Sequence, residues 1–544
     1  MPADPAIKGD IDIPVLIVGG GPVGLAMAVE LGWRGIACVL VEQGDGEVVH
    51  PKTNGVNMRT MEYCRRWGIA DVIREKGYPR GRPRDHIYFT TLTGWEIARQ
   101  TNPPYEEARP PRGCLEAFQR CPQTVFDPAL QERARSLEPV TLRYHVRCLG
   151  VEQDDTGVTA KLQRVKEDGA EETLRAAYVV ACEGARSPIR DALGIRLQGM
   201  PVLGYSTNVL FRSAEFATMH DKGEGRSYLA VGPDGQWASV NSINGEDIWR
   251  FQVRGSLDPD SWAKVDVDAD LRRFAGRDFD YETLSVLEWI RRQLVADRYQ
   301  DGRILLAGDC VHQLTPAGSF GMNTGIGDVT NLSWKIEAAL DGWAGDGLLD
   351  SYTAERRPIG KRNVDFAAAR YARGEKITPT PHILEDSPEG ERERKEVGER
   401  IMNEVVNPPT FGLQIGYRYD DSPVICLEPG PPPPVERESY SPTTRPGARA
   451  PDARLADGRA LIDLFGKGFT LLRLGAAPPE PDALVKASSA RGVPLTAHDI
   501  AEPGIADLYE SPLVLVRPDG HVAWRGDAPP DDPTAVIDKV RGAH

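Results

Sequence analysis

Short apolar runs, each entering a glycine-rich turn, set the framework of this chain. Ile13-Pro-Val-Leu-Ile-Val18 is β-rich, and Pro22 to Trp33 then carries apolar residues at helical spacing, with Pro22 suited to a first helical turn. A second strand follows at Ala37 to Glu42, which predicts a βαβ unit of about thirty residues and the opening of a doubly wound sheet. Tyr178-Val-Val-Ala-Cys182 and Arg303-Ile-Leu-Leu-Ala-Gly308 are further runs of this kind. The pattern predicts that they return to the same sheet as central parallel strands.

Between them the pattern changes period. From Tyr205 to Gly255 apolar and polar residues alternate, through Asn208-Val-Leu-Phe211, Arg226-Ser-Tyr-Leu-Ala-Val231, Trp237-Ala-Ser-Val-Asn241 and Trp249-Arg-Phe-Gln-Val253. Pro233-Asp-Gly235 and Asn244-Gly245 punctuate the runs, which predicts an antiparallel meander inserted into the doubly wound fold. Thr330 to Ala372 reads as helical. Glu391 to Glu404 reads as a charged helix, with Glu391 to Arg400 a solvated face. Glu428-Pro-Gly-Pro-Pro-Pro-Pro-Val435 is a stiff spacer that marks a boundary. Beyond it, Phe469 to Leu474 and Leu513 to Val516 are strands, and Arg517-Pro-Asp-Gly520 turns the second into His521-Val-Ala-Trp524. Ser511-Pro512, just before that hairpin, resembles the cis-proline position of thioredoxin-like domains. No cysteine follows Cys426, which excludes redox work there.

Composition narrows the function classes. At 544 residues the chain calls for two or three domains. A formal charge of −15 argues against nucleic acid or an anionic membrane as partner. The longest early apolar run, Val15 to Leu31, is broken by Gly19, Gly20, Gly21, Pro22 and Glu30, so it does not read as a membrane span. Asp4, Asp10 and Asp12 replace the basic start of a secretory signal. Eight scattered cysteines lack metal-ligand spacing, so no metal site is expected, and they read as reduced thiols of a cytoplasmic protein.

Gly19-Gly-Gly-Pro-Val-Gly24 places Gly19, Gly21 and Gly24 in G-x-G-x-x-G spacing between a strand and a helix. Such glycines allow a tight turn and close approach of backbone to a pyrophosphate on the helix N-terminus. Glu42, at the end of the second strand, is suited to the ribose hydroxyls of an adenosine. Two more motifs follow, Ala181-Cys-Glu-Gly-Ala-Arg-Ser-Pro-Ile-Arg190 and Arg303-Ile-Leu-Leu-Ala-Gly-Asp-Cys-Val-His312 with Pro316 and Gly318-Ser-Phe-Gly-Met-Asn323. With these three motifs in order, the chain resembles the class A flavoprotein aromatic hydroxylases, in the branch of phenol, hydroxyphenylpropionate and polycyclic-tailoring hydroxylases.

The resemblance implies an α/β fold: a Rossmann-type FAD-binding domain from 1–80, 110–200 and 295–375, and an inserted antiparallel-sheet substrate domain from 81–109 and 201–294. A helix and Pro-rich linker at 376–445 then leads to a thioredoxin-like α/β domain at 446–544. It also implies a monooxygenase that uses FAD, NADH or NADPH, and O₂ to hydroxylate a small aromatic substrate through a flavin hydroperoxide. Asp309 would bond the ribityl chain, with Pro316 and Gly321 beside it, and backbone donors at Met322 and Asn323 would face the flavin pyrimidine. Fixed N–H dipoles there suit the negative charge of a reduced flavin. Lys52 stands where an arginine usually contacts phosphate, and Gln123 contacts the flavin side. Glu183 replaces the usual aspartate, with Arg190 as its anchoring base.

Several residues have a plainer reading. His312 is expected to order the turn under the flavin rather than move a proton, and His86 to be a polar strand position. His86, Tyr228 and Asn241 are the candidates for assisting the ring chemistry, and a meander strand presents each either to the core or to a pocket. A disulfide reductase lacks its cysteine pair and second glycine motif here. A non-enzymatic flavin- or ligand-binding protein remains an alternative, as does a polycyclic natural-product intermediate in place of a simple phenol. A homodimer is the expectation for assembly.

Overall fold

The computed structural model describes residues 10–166, 169–373, 377, 380–406 and 408–543. Asp4, Lys376 at the start of the linker segment, and His544 lie outside them. The strand Ile13–Val18 pairs in parallel with Cys38–Glu42 on one side and with Glu171–Ala181 on the other. Val140–Tyr144 extends the sheet beyond Cys38–Glu42, and Ile304–Leu306 beyond Glu171–Ala181, both in parallel. These are the apolar runs of the sequence brought back to one sheet. Val15, Leu16, Ile17, Val179, Val180, Leu305 and Leu306 are all buried within it. The helix Pro22–Arg34 begins on Pro22 and ends at Gly35, whose φ of 87° closes the last turn without a Cβ penalty. It packs against the helix Gly321–Leu340.

The second sheet has eight strands. Ser227–Gly232, Gly235–Ser242 and Ile248–Arg254 form the expected antiparallel meander, and Leu197–Arg212 pairs with the last of them. Two features go beyond the alternation. His86–Phe89 adds to Ser227–Gly232 in parallel, and a long strand, Glu282–Ala296, pairs with Leu197–Arg212 along its length. One face of this sheet is a core of Phe211, Trp249, Phe251, Val240 and Ile87, closed by Phe216 and Phe274.

The helical region Thr330 to Ala372 divides into Gly321–Leu340 and Gly347–Arg373. The charged helix Pro388–Arg400 is only partly solvated, a correction to its reading as a solvated face. Arg394 is buried with its guanidinium 4.0 Å over the Trp95 ring, and Val397 joins a cluster with Tyr88 and Val231. In the C-terminal unit, Phe469–Leu474 pairs in parallel with Leu495–Ile500 and antiparallel with Leu513–Val516, which pairs with Val522–Gly526. With helices Asp482–Ala490, Pro503–Tyr509 and Pro533–Val540 this is the βαβαββα order of a thioredoxin-like unit. One correction applies: no described peptide bond is cis, so Ser511–Pro512 is trans. One face of this sheet packs on Trp334 and Trp343.

Candidate active site

Parallel pairing sets the carboxyl ends of the central strands side by side, with Val18 level with Val41 and Ala181, and Ala181 level with Leu306. All three glycine motifs leave the sheet at this edge, the side on which doubly wound sheets hold ligands. A cavity of about 640 Å³ opens over it, inside the usual range of about 300–1,000 Å³ for cofactor and small-molecule sites.

The glycines of the first turn are required for different reasons. A Cβ on Gly19, where φ is +110°, would stand 2.4 Å from the Cys182 carbonyl oxygen, and one on Gly24 would stand 1.9 Å from that of Gly19. Backbone packs on backbone at both. A Cβ on Gly21 would meet nothing within 4 Å, because this residue faces the cavity at the start of the helix. That bare approach to a helix N-terminus is what a pyrophosphate needs. Glu42 is fixed at the cavity wall, its Oε2 accepting the Gly20 N–H and its Oε1 the Gly44 N–H, each at 2.7 Å. Each oxygen keeps a lone pair for a ribose hydroxyl.

Lys52 and Gln123, distant in sequence, meet at the same cavity. The Lys52 backbone N–H donates to Gln123 Oε1 at 2.9 Å, and Gln123 Nε2 donates to Asp127 Oδ2 at 2.8 Å. Burial pushes the Asp127 carboxyl up to about 7, the Gln123 bond opposing it. Glu183 also lines the cavity. Its Oε2 accepts from Ser187 Oγ at 2.5 Å and from the Ile189 N–H at 3.3 Å, and burial raises its carboxyl above the ordinary range. Arg190 does not anchor that carboxylate directly. Its Nη1 donates to the Ala185 and Cys310 carbonyls at 3.2 and 3.3 Å, and its remaining bonds go to Asp191. It therefore ties the second motif to the third through main chain, and the base expected for Glu183 is replaced by Ser187.

Asp309, Pro316, Gly321 and Met322 form the far wall of the cavity. Burial raises the Asp309 carboxyl, with His312 and Lys52 opposing. The amides of Gly321, Met322 and Asn323 come before the i→i−4 ladder of their helix, so this wall carries the positive end of the helix dipole. The Asn323 side chain faces the scaffold: Oδ1 accepts the Asn57 N–H at 2.9 Å, and Nδ2 donates to the Gly55 and Ser319 carbonyls. Its part in the site is limited to its backbone. His312 is buried with Nε2 2.8 Å from Asp328 Oδ2, and Asp328 also accepts from Arg356 Nε and the Gly308 N–H. The turn below the cavity is ordered by this group.

The second sheet closes the cavity with Arg250 and Trp289. Its register aligns Leu210, Arg250, Asn241, Ser227 and His86 in one row across the face opposite the aromatic core. Asn241 Oδ1 accepts from Ser227 Oγ at 2.8 Å, and His86 Nε2 lies 3.3 Å from Arg226 Nη2. Burial and the neighbouring arginines push the His86 imidazole well below its ordinary range. Tyr228 is on the other face, a correction to its candidacy. Its hydroxyl accepts the Gly225 N–H at 2.9 Å and donates to the Gly223 carbonyl at 3.0 Å, among Phe216 and Trp249. Sequence reasoning missed Arg250, Trp289 and Asn54 of the cavity wall. Strand alternation gives two faces, and which one meets the cavity depends on the docking of the two sheets.

Residues 12–367 match the FAD binding domain family, and residues 443–543 match the aromatic-ring hydroxylase C-terminal family. The chain belongs to the FAD-dependent aromatic-ring hydroxylases. This hydroxylase is 34% identical to a putative polyketide hydroxylase of Streptomyces halstedii, over 95% of this chain and 94% of that one. It is 33% identical to 4-methyl-5-nitrocatechol 5-monooxygenase of a Burkholderia species, over 97% and 96%. Among solved structures it resembles the rebeccamycin biosynthetic enzyme RebC, soaked with chromopyrrolic acid and holding 7-carboxy-K252c, with a TM-score of 0.89 and 36% identity over 98% of this chain and 100% of that one. The hydroxylase is thus an enzyme that works with FAD and a reduced nicotinamide, and its cavity fits the flavin dinucleotide: open at Gly21, acidic at Glu42 and rich in N–H dipoles at Gly321.

Proposed function

We propose that the protein hydroxylates a phenolic ring of a fused polycyclic substrate, with NADH or NADPH and O₂. The observation that carries this reading is the continuity of one cavity from the dinucleotide turn, past the N-terminus at Gly321, to Arg250 and Trp289 on the second sheet. A ring lying on that sheet face meets the flavin within one enclosure. The polycyclic substrate is favoured by likeness to a polyketide hydroxylase and to RebC with its 7-carboxy-K252c, while the nitrocatechol enzyme keeps a single ring as the alternative.

The flavin, when bound, supplies reduction by nicotinamide and activation of O₂. The chain's own residues do the rest. Gly19, Gly21 and Gly24 admit the pyrophosphate to the first helix, Glu42 would hold the ribose, Lys52 would contact phosphate, and Gln123 would contact the flavin side. Asp309 serves the ribityl chain, and the amides of Gly321, Met322 and Asn323 hold negative charge at the flavin pyrimidine. His86 and Asn241 lie on the substrate side of the second sheet, where His86 is neutral and acts as a hydrogen-bonding group. Trp289 and the sheet keep water from the reacting ring.

A cytoplasmic location is part of this reading, supported by eight free cysteines and by the lack of any described helix long and apolar enough to cross a membrane. A homodimer is also proposed, and light scattering after gel filtration reads it directly.

The test is oxidation of NADH and NADPH by FAD-loaded protein across phenols, hydroxybenzoates, catechols and polycyclic phenols, with product mass and H₂O₂ recorded. Faster oxidation with a product heavier by one oxygen and little H₂O₂ is expected from a polycyclic phenol. No stimulation by any ring would favour a protein that binds flavin or ligand without catalysis.

A further inference from the structure

Buried arginines in this protein are usually paired with carboxylates. Arg356 meets Asp328, Arg449 meets Glu62, and Arg517 meets both Glu355 and Asp519. A charge taken out of water without such a partner costs several kcal/mol in effective terms. Arg394 departs from this rule by bonding the Ile383 and Glu385 carbonyls under Trp95, and a group of arginines departs from it together at the substrate side of the cavity.

Arg120, Arg226, Arg250 and Arg370 converge there from four separate elements. Arg250 lines the cavity from the strand Ile248–Arg254. Arg120 donates to the side chain of Asn54, itself a cavity residue. Arg226 is buried beside His86, and Arg370 approaches the Gly318 turn from the helix Gly347–Arg373. Among the described residues, no ion pair joins any of the four to a carboxylate. Arg120 and Arg250 bear on Arg226, with the phenols of Tyr105 and Tyr78 opposing, and Arg120 and Arg291 bear on Arg250. Nε of Arg120 and of Arg250 are buried without a hydrogen-bond partner. Burial, then the repulsion of Arg120, brings Arg226 down to about 9, and burial with Arg120 and Arg291 brings Arg250 to about 10. Both stay cationic at neutral pH.

A cluster of cations with open donors and no internal counter-charge is complete only when an anion enters. The dinucleotide is not that anion, because the glycine turn and the Gly321 helix are built for it at the other side of the cavity. Arg250, Asn241, Ser227 and His86 share one row of the sheet, so the anion is presented on the face against which the ring lies. Guanidinium forks match a carboxylate with two parallel hydrogen bonds.

We infer that the aromatic substrate carries a carboxylate, and that Arg250, with Arg120 and Arg226 behind it, is the site that receives it. This rests on the proposed aromatic substrate and adds its class: an aromatic acid.

The test compares binding of acid and ester to the FAD-loaded protein, read by quenching of flavin fluorescence, so no turnover is needed. The probes are a hydroxybenzoate, a hydroxynaphthoate and rhein, a dihydroxyanthraquinone carboxylate, each beside its methyl ester. The acid is expected to bind about tenfold or more tighter than its ester in at least one pair, the effect of a charge-assisted hydrogen bond. Arg250→Gln and Arg226→Gln are each expected to erase that preference without loosening the ester. No preference for the acid at any ring size, whether or not the probes bind, overturns the inference. So does a preference that survives both substitutions, or substitutions that weaken NADPH binding instead. Nicotinamide oxidation and product mass in the same samples report separately on hydroxylation: an acid preference without oxygen transfer leaves the anion site standing and removes the hydroxylase reading.

Discussion

Gly21 and Gly24 lie three residues apart in one turn, yet an added methyl group meets opposite surroundings at the two. At Gly24 it collides with the Gly19 carbonyl at 1.9 Å, a backbone atom that cannot swing aside. Gly24→Ala is therefore expected to lose about 1–3 kcal/mol of stability, the cost of overpacking, and to purify with little flavin. At Gly21 the methyl group enters open cavity, so Gly21→Ala should leave the FAD-free protein within about 0.5 kcal/mol of the parent. Its FAD dissociation constant should nevertheless rise about tenfold or more, a loss of about 1.4 kcal/mol. Thermal melts of both variants without FAD, followed by FAD titration, separate the two. A destabilised FAD-free Gly21→Ala, or one that binds FAD like the parent, contradicts the assignment. The spacing of these glycines was legible in the sequence. That one guards packing and the other guards ligand space was not, since this depends on where the Gly19 carbonyl and the open cavity lie in three dimensions.

The helix Gln123–Arg135 shows how an element can hold a site residue at a cost. Gln123, in its first turn, reaches the Lys52 backbone only because its amide is oriented by Asp127 one turn on, and Asp127 is buried with Oδ1 unpartnered. Its carboxyl titrates near 7 in the folded protein against about 3.9 when unfolded. A raised carboxyl means that the folded state holds the proton more tightly, so this group favours folding below about pH 4 and loses that favour as pH rises through about 7. Asp127→Asn carries no such penalty. It is expected to melt with the parent near pH 4 and to exceed it by about 1–3 kcal/mol at pH 8, a shift of this size being worth about 1.4 kcal/mol per unit at most. A stability difference that does not grow between pH 4 and pH 8 would show that Asp127 is not buried as an acid. At this scale the sequence is uneven. Ile13–Val18 and Phe469–Leu474 match their runs because buried central strands need mostly apolar residues, even with Thr470 and Arg473 in the second. Glu282–Ala296 leaves no such trace, because Leu287, Ile290 and Leu294 also suit a helix face, and only pairing with Leu197–Arg212 makes it a strand. The arginines at 120, 226, 250 and 370 are equally mute in sequence, scattered over elements that tertiary packing alone brings together.

Across the whole molecule, the C-terminal unit braces the helix whose other end faces the cavity. Asn331 and Lys335 on Gly321–Leu340 both donate to Glu355 of Gly347–Arg373, at 2.6 and 2.8 Å. Glu355 also receives Arg517 through two bonds, and Arg517 and Asn331 both reach Asp519 in the turn beside Leu513–Val516. All these groups are buried. Burial alone would raise the Glu355 carboxyl, but Arg517 and Lys335 hold it well below its ordinary range, while burial brings Lys335 down to about 8 against the pull of Glu355. Glu355→Gln keeps the shape and removes the charge, leaving two cations facing one amide, and a broken buried pair costs about 3–5 kcal/mol. The depressed carboxyl contributes its stability above the unfolded value of about 4.3 and loses it as pH falls, so the gap between parent and variant should be widest at pH 7 and narrow toward pH 3. Lys335→Met added to Glu355→Gln removes one of the stranded cations and should recover part of the loss, a coupling that a double-mutant cycle reads directly. Because the same helix presents Gly321 and Met322 to the cavity, flavin release and loss of secondary structure should coincide in denaturant for the parent. In Glu355→Gln, flavin release is expected at a lower denaturant concentration than loss of secondary structure, as the unbraced helix loosens first. Equal stability of Glu355→Gln and parent at pH 7 would mean that the C-terminal unit rests on the cofactor fold without supporting it.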